Sequence, residues 1–171
     1  MKPPMKPPMK RLLIVWQSTT GGSALMAQAA AAAARAEPGV AVRVRRASEA
    51  GADDLLNADG YLFAAPEHLG SLAGPMKDFF DRVYYPALDR VNGRPYALMI
   101  CAGSDGQGAA RQVQRICTGL RLREVAPPII VITGAQTPPA ILAPKAIGAP
   151  DLARCEELGA ALAAGLAAGV F

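Results

Sequence analysis

The chain has 171 residues, of which 51% are hydrophobic and 19% are charged, so it is long enough for one domain with a sizeable core. Its formal net charge is +4, but Lys2, Lys6 and Lys10 supply three of these charges. The sequence has no basic stripe interleaved with aromatic residues, which argues against nucleic-acid binding. Three cysteines without CxxC spacing are typical of buried thiols in a reducing compartment, and we expect a cytoplasmic protein. The single histidine, His68, argues against a histidine-rich metal site, and no apolar run is long enough to span a membrane.

Residues 1–10 form a short KPPM repeat. Proline blocks both helix and sheet hydrogen bonding, and the repeat has no hydrophobic face to bury. We therefore predict a disordered tail over residues 1–10 and a folded domain over residues 11–171.

An apolar strand over Leu12–Trp16 leads into a stretch of hydroxyls and glycines, followed by an alanine-rich helix. The residues between strand and helix are Ser18, Thr19, Thr20, Gly21, Gly22 and Ser23. Free backbone N–H groups and a helix dipole at such a turn bind an anion, most often a phosphate. The turn lacks the lysine of a nucleoside-triphosphatase loop and the GxGxxG of a dinucleotide fold, so it suits a single terminal phosphate. An ordinary N-cap by Ser23 or Thr20 is the alternative interpretation.

Strands and helices alternate along the rest of the chain. The predicted elements are an edge strand Val40–Arg46, a short helix over 48–57, a strand Tyr61–Ala65, a helix Gly74–Asp89, a strand Pro95–Ala102, a helix Gly108–Thr118, a strand Ile129–Thr133 and a helix Asp151–Val170. Five such alternations predict an α/β fold, a doubly wound five-stranded parallel sheet in the order 2-1-3-4-5 with helices on both faces. The long loop Thr133–Pro150, with four prolines, is expected to be functional or to cover a partner surface.

Three loops, 17–23, 65–74 and 102–108, meet at the carboxyl ends of the strands in this topology, where such sheets bind their ligands. Taken alone, the second and third loops are simply turns rich in Gly, Pro and Ser. Together with the first loop they predict one site that holds a phosphate and a flat ring.

Residues Ile14–Ala27 resemble the phosphate loop of flavodoxin-like FMN proteins, and residues 58–109 are similar to the flavodoxin-like NAD(P)H-dependent FMN reductase and quinone reductase group. The matching motifs of that group are P-E-x-x-G at Pro66–Gly70, K-D-F-F-D-R at Lys77–Arg82 and A-G-x-D-G at Ala102–Gly106. The resemblance implies a flavodoxin-like FMN-binding domain over residues 11–171.

The resemblance also implies roles for the three loops. The phosphate is expected on Ser18, Thr19, Thr20, Gly21, Gly22 and Ser23, and the flavin ring between Pro66, Glu67, His68, Leu69 and Gly70 on one side and Gly103, Ser104, Asp105 and Gly106 on the other. Relatives usually place an aromatic residue in the second loop, where this chain has none. We therefore expect FMN to bind weakly or as an exchangeable substrate.

The function expected from these motifs is an FMN-dependent oxidoreductase with NAD(P)H as electron donor and a quinone or a flavin as small-molecule acceptor. Because the flavin carries the hydride chemistry, no side chain is assigned as catalytic. A non-enzymatic electron carrier is the alternative, although carriers usually steer by charge and residues 11–171 are almost neutral. A hydrolase is disfavoured because no serine lies in GxSxG. The group often pairs subunits, so a homodimer or homotetramer is expected, with Tyr84 and Tyr85 of the helix at 74–89 as a candidate contact patch.

Overall fold

Helices and strands alternate along the chain in a computed structural model, which describes all 171 residues. The strands are β1 Lys10–Trp16, β2 Val40–Arg46, β3 Gly60–His68, β4 Ser71–Leu72, β5 Pro95–Ala102, β6 Arg123–Glu124 and β7 Ile129–Ile132. The helices are α1 Gly22–Ala36, α2 Ala52–Leu56, α3 Gly74–Ala87, α4 Gln107–Gly119, α5 Pro138–Leu142 and α6 Ala149–Ala168. No helix combines the length and the apolar character that crossing a membrane would require.

Six strands form a parallel sheet in the order β2-β1-β3-β5, with β6 and β7 both paired to β5, and the two-residue β4 pairs antiparallel with β3. β6 and β7 together occupy the fifth position, so the predicted order 2-1-3-4-5 is confirmed with its last strand divided. Pro127 and Pro128 lie in the break, and proline has no N–H to donate to a neighbouring strand.

Helices cover both faces of the sheet, as predicted. On one face, α2, α3 and α4 pack over a core with an aromatic centre, in which the rings of Phe63 and Phe80 meet edge to face at 5.0 Å. On the other face, the alanine side of α1 packs against α6. The two helices approach so closely that a Cβ on Gly159 would lie 2.2 Å from the carbonyl oxygen of Ala30. Small residues on α1 and α6 therefore set the thickness of this layer.

The structure corrects three predicted boundaries. β1 begins at Lys10, inside the predicted tail, because Lys10 N donates to Gly39 O at 3.0 Å and extends the ladder to β2. β3 continues beyond Ala65 to His68 and pairs with β4, so much of the predicted second loop is a β-hairpin. The loop 133–150 contains the short helix α5. Residues 1–9 have no regular secondary structure and are exposed, and their disorder stays a prediction.

The predicted contact patch on α3 is smaller in the structure than the sequence indicated. The apolar positions of this helix, Met76, Phe79, Phe80, Val83 and Ala87, are all buried in the core of the chain itself. Tyr85 is the large apolar side chain of α3 that remains exposed. The oligomeric state stays a prediction.

Candidate functional site

The three predicted loops lie side by side at one edge of the sheet. They follow the carboxyl ends of β1, β3 and β5, and β3 pairs with both of the other two strands. The fold therefore brings the three segments together, as the topology predicted.

The first loop leads into the open N-terminus of α1. Gly21 is the N-cap residue, with φ +98°, and no side chain caps the helix. The alternative interpretation, a cap by Ser23 or Thr20, does not apply. The Ser18 hydroxyl instead closes the turn, accepting a hydrogen bond from Gly21 N at 3.0 Å. The remaining first N–H groups of a 15-residue helix therefore face the loop with no side-chain acceptor.

Ser23 is the feature of this turn that most directly indicates a ligand. Ser23 is the one polar residue of the chain that is buried, with 1% of its surface exposed, and its Oγ has no hydrogen-bond partner. An unpartnered buried hydroxyl costs about 1–3 kcal/mol. A phosphate oxygen at the helix terminus would supply the missing partner, so the loop fits the terminal phosphate of FMN.

The backbone of the first loop rests directly on β5. A Cβ on Gly22 would lie 2.6 Å from the Sγ atom of Cys101, so only glycine fits this position without displacing its neighbour. Burial raises the pKa of the Cys101 thiol, and the Lys145 ammonium offsets part of that rise. Cys101 is thus a packed thiol beneath the turn at 17–23, which we call the phosphate turn after the ligand that the sequence predicts for it.

The second loop is a hairpin whose two turn residues, Leu69 and Gly70, have φ +54° and +73°. Two positive φ values in succession are typical of a type I′ turn, which suits glycine and asparagine and strains leucine. Leu69 is fully exposed at the tip, and His68, at the end of β3, is exposed as well.

Glu67 ties the second loop to the third. Its two carboxylate oxygens accept from Gly106 N at 2.9 Å and from Ala109 N at 3.1 Å, at the N-terminus of α4. Both oxygens are therefore occupied by the protein itself. The sequence predicts that the backbone of Glu67 lies beside a flavin ring, which stays a prediction. The structure adds a positioning role for its side chain, between the two loops.

Two further contacts hold the hairpin on α4. The side-chain oxygen of Gln112 accepts from Leu72 N and from the Ser71 hydroxyl, each at 2.8 Å. A Cβ on Gly108 would lie 2.0 Å from the carbonyl oxygen of Gly70, so the hairpin backbone touches the helix backbone. Sequence analysis did not identify Gln112, because a glutamine on a polar helix face has no distinctive pattern.

The third loop divides into exposed and packed residues. Ser104 and Asp105 are exposed, whereas Gly106 is the buried N-cap residue of α4 with φ +78°. A Cβ on Gly103 would lie 2.9 Å from the carbonyl oxygen of Ala135, at the start of the long loop 133–150. Gly103 and Gly106 therefore shape the backbone, and the exposed side chains of this loop are those of Ser104, Asp105 and Gln107.

The side-chain hydrogen bonds of the motif Lys77–Arg82 on α3 are made away from the three loops. Arg82 donates to the carbonyl oxygens of Ala47 and Ala50, both at 2.8 Å, and pairs with Asp78. It thereby fixes the connection that follows β2. The motif therefore has a structural role, in which Arg82 holds the backbone after β2 against α3.

Lys145 is a second residue that sequence analysis missed. Its backbone N donates to Thr20 O at 2.8 Å, so the long loop 133–150 is attached to the phosphate turn. Nothing in the local sequence around Lys145 indicated this contact, which joins two segments far apart in the chain.

Comparison with known proteins bears on this site. A family model described as "NADPH-dependent FMN reductase" matches residues 43–137, which contain both the hairpin and the third loop. The chain belongs to this family. The family's description names FMN and NADPH, which confirms the predicted family and its cofactors, FMN and NAD(P)H. The phosphate turn at 17–23 lies outside the matched residues.

Two curated relatives of this FMN reductase family member have different names. A "Flavodoxin" of Aquifex aeolicus is 31% identical over 100 residues, 58% of this chain and 54% of that protein. An "NAD(P)H dehydrogenase (quinone)" of Acidithiobacillus ferrooxidans is 35% identical over 94 residues, 43% of this chain and 47% of that protein. The chain thus spans about half the length of the curated relatives it matches.

Solved structures confirm the predicted fold class. A flavodoxin from the domain Archaea superposes with a TM-score of 0.73 at 19% identity, covering 91% of this chain and 98% of that one. A WrbA-like flavodoxin protein from Agrobacterium tumefaciens gives a TM-score of 0.65 at 18% identity, covering 94% and 98%. At these identities the likeness concerns the flavodoxin-like architecture.

Proposed function

We propose that the chain is an FMN-dependent oxidoreductase that takes electrons from NAD(P)H and passes them to a quinone or a flavin. The observation that carries this proposal is the buried, unpartnered Ser23 hydroxyl at the uncapped start of α1, next to the two loops that match the FMN reductase family. When bound, FMN supplies the hydride-accepting ring, and the residues of the chain bind and orient it.

The phosphate group of FMN is assigned to the turn at 17–23. The Ser23 hydroxyl and the N–H groups at the start of α1 would hold its oxygens, and the hydroxyls of Thr19 and Thr20 would supply further donors. Gly21 and Gly22 allow the backbone to approach, and Ser18 keeps the turn closed. Together these contacts would position the ring above the sheet edge.

The hairpin and the third loop are assigned to the two sides of the ring. Their mutual position is set by Glu67 and Gln112, so they form one rigid wall. The exposed side chains at this wall are those of His68, Leu69, Ser104, Asp105 and Gln107. Hydride transfer from a nicotinamide to a flavin needs no protein acid or base, and none is assigned here.

The test has two stages. The purified protein is mixed with FMN and desalted, and its visible absorption spectrum is compared with that of free FMN. NAD(P)H oxidation is then followed with a quinone and added FMN, using NADH and NADPH separately. A flavin-dependent rate well above that of free FMN supports the reductase. A rate equal to that of free FMN with every acceptor overturns it.

An electron carrier is the second candidate, and the similarity to a protein named flavodoxin favours it. A carrier would exchange single electrons with docked proteins. Reductive titration distinguishes the two: a stable one-electron flavin radical supports the carrier, and direct two-electron reduction by NAD(P)H supports the reductase.

A further inference from the structure

The phosphate turn has no charge of its own, although an FMN phosphate carries close to two negative charges near neutral pH. Residues 17–23 contain no lysine or arginine, and helix α1 has no basic residue before Arg35 in its last turn. The backbone dipoles supply only partial charges. A cation from elsewhere in the fold would therefore change the selectivity of the site.

Lys145 is the lysine that the fold attaches to this turn. Its backbone N bonds to Thr20 O, and its Cβ would lie 3.4 Å from a Cβ on Gly22, at the first turn of α1. The Lys145 ammonium also lowers the pKa of Cys101 against the effect of burial, and the Sγ of Cys101 packs on Gly22. The positive charge of Lys145 therefore interacts with Cys101, the residue packed beneath the phosphate turn.

The lysine is held in place by the long loop itself. Its Nζ atom donates to three carbonyl oxygens at the end of α5, those of Ala140 at 2.9 Å, Ile141 at 2.8 Å and Ala143 at 2.6 Å. No carboxylate pairs with it, so the positive charge is not neutralised by an ion pair. The three carbonyls fix the ammonium at the end of α5, while the backbone N and the Cβ of the same residue contact the turn.

We propose that Lys145 is the counter-charge of the phosphate turn and makes the site select phosphorylated flavin over riboflavin. This inference rests on the proposed FMN function. A role confined to anchoring α5 predicts a different result, because loss of the anchor would change the affinities of FMN and riboflavin alike, whereas loss of the charge affects only the ligand that bears a phosphate.

The experiment measures the dissociation constants of FMN and riboflavin by quenching of flavin fluorescence, for the wild-type chain, Lys145→Met and Lys145→Arg. Lys145→Met is expected to weaken FMN binding about fivefold to tenfold, with riboflavin changed less than about twofold, and Lys145→Arg is expected to retain the FMN preference. The salt dependence of FMN binding should become shallower in Lys145→Met.

The matched control is Lys10→Met, which removes the same charge at the opposite end of β1 and is expected to leave both dissociation constants unchanged. Equal weakening of FMN and riboflavin in Lys145→Met, or no weakening of either, overturns the charge role while wild-type FMN binding still supports the proposed function. A wild-type chain that binds neither flavin overturns both.

Discussion

The start of α1 and the start of α4 are built alike and used differently. Both helices begin at the carboxyl edge of the sheet after a glycine N-cap in the left-handed region, Gly21 at φ +98° and Gly106 at φ +78°. The positive end of the α4 dipole is occupied by the Glu67 carboxylate of the same chain. At α1 no acidic side chain lies in the first turn, and the Ser23 hydroxyl has no partner.

This difference shows that a glycine-rich turn before a helix does not by itself make a ligand site. The helix terminus that already holds a carboxylate of the chain serves to join two loops, because its N–H groups are occupied. The terminus that leaves buried polar groups unpartnered is the one available to an external anion.

The largest effect is expected from Gly22→Ala, which closes the open turn. Its new methyl group would lie 2.6 Å from Cys101 Sγ and would displace the start of α1, at a cost of about 1–3 kcal/mol in unfolding free energy. FMN binding should fall more than about tenfold. Chemical denaturation and flavin titration measure the two effects.

The double variant Gly22→Ala with Cys101→Ala tests the cause of that loss. Removing the sulfur atom vacates the space that the methyl group needs, so stability and FMN binding should recover in part. If the double variant is as impaired as the sum of the two single variants, the contact with Cys101 is not the reason.

Ser23→Ala is expected to have opposite effects on the free and the FMN-bound protein. Without ligand, removal of an unpartnered buried hydroxyl should leave stability unchanged or raise it by about 1 kcal/mol. FMN affinity should fall about tenfold, because one hydrogen bond to a charged group is lost. Thermal melting with and without FMN measures both effects, and a destabilised free protein would contradict the open-turn interpretation.

Glu67→Gln removes the negative charge that the chain itself places at the N-terminus of α4. The amide keeps one acceptor but loses the charge that interacts with two backbone N–H groups, so unfolding free energy should fall by about 1–2 kcal/mol. Glu156→Gln, an exposed change on α6, is the control and should stay within about 0.5 kcal/mol. Urea denaturation distinguishes them, and equal effects would remove Glu67 from its positioning role.

The smallest effect is expected from Leu69→Asn at the hairpin tip. Asparagine tolerates positive φ better than leucine, so the change should stabilise the chain by about 0.5–1 kcal/mol. A calorimetric melting temperature measures it. A stabilised variant that also loses reductase activity would show that the strained leucine is retained for contact with a ligand or a second subunit.

Much of the fold was predictable because its elements carry strong local patterns. The alternation of valine and arginine over Val40–Arg46 and the apolar run Pro95–Ala102 gave boundaries that the structure confirms to the residue. The hairpin after Ala65 was missed because leucine is unusual at the first position of a two-residue turn with positive φ, here Leu69 before Gly70. The hairpin also contacts α4, which the sequence does not show. Pro127 and Pro128 explain why the fifth strand is divided. The sequence did not show that both parts, β6 and β7, pair with β5.

The alternating α/β architecture and the family motifs are visible in the amino-acid sequence, which also predicts an anion-binding turn at 17–23, because periodicity and turn chemistry are properties of neighbouring residues. The three-dimensional contacts were needed to show which helix terminus stays open, that Glu67 fills the other, and that Lys145 lies against Thr20. These outcomes depend on hydrogen bonds and close contacts between segments distant in the chain, and no local pattern specifies which partners will meet.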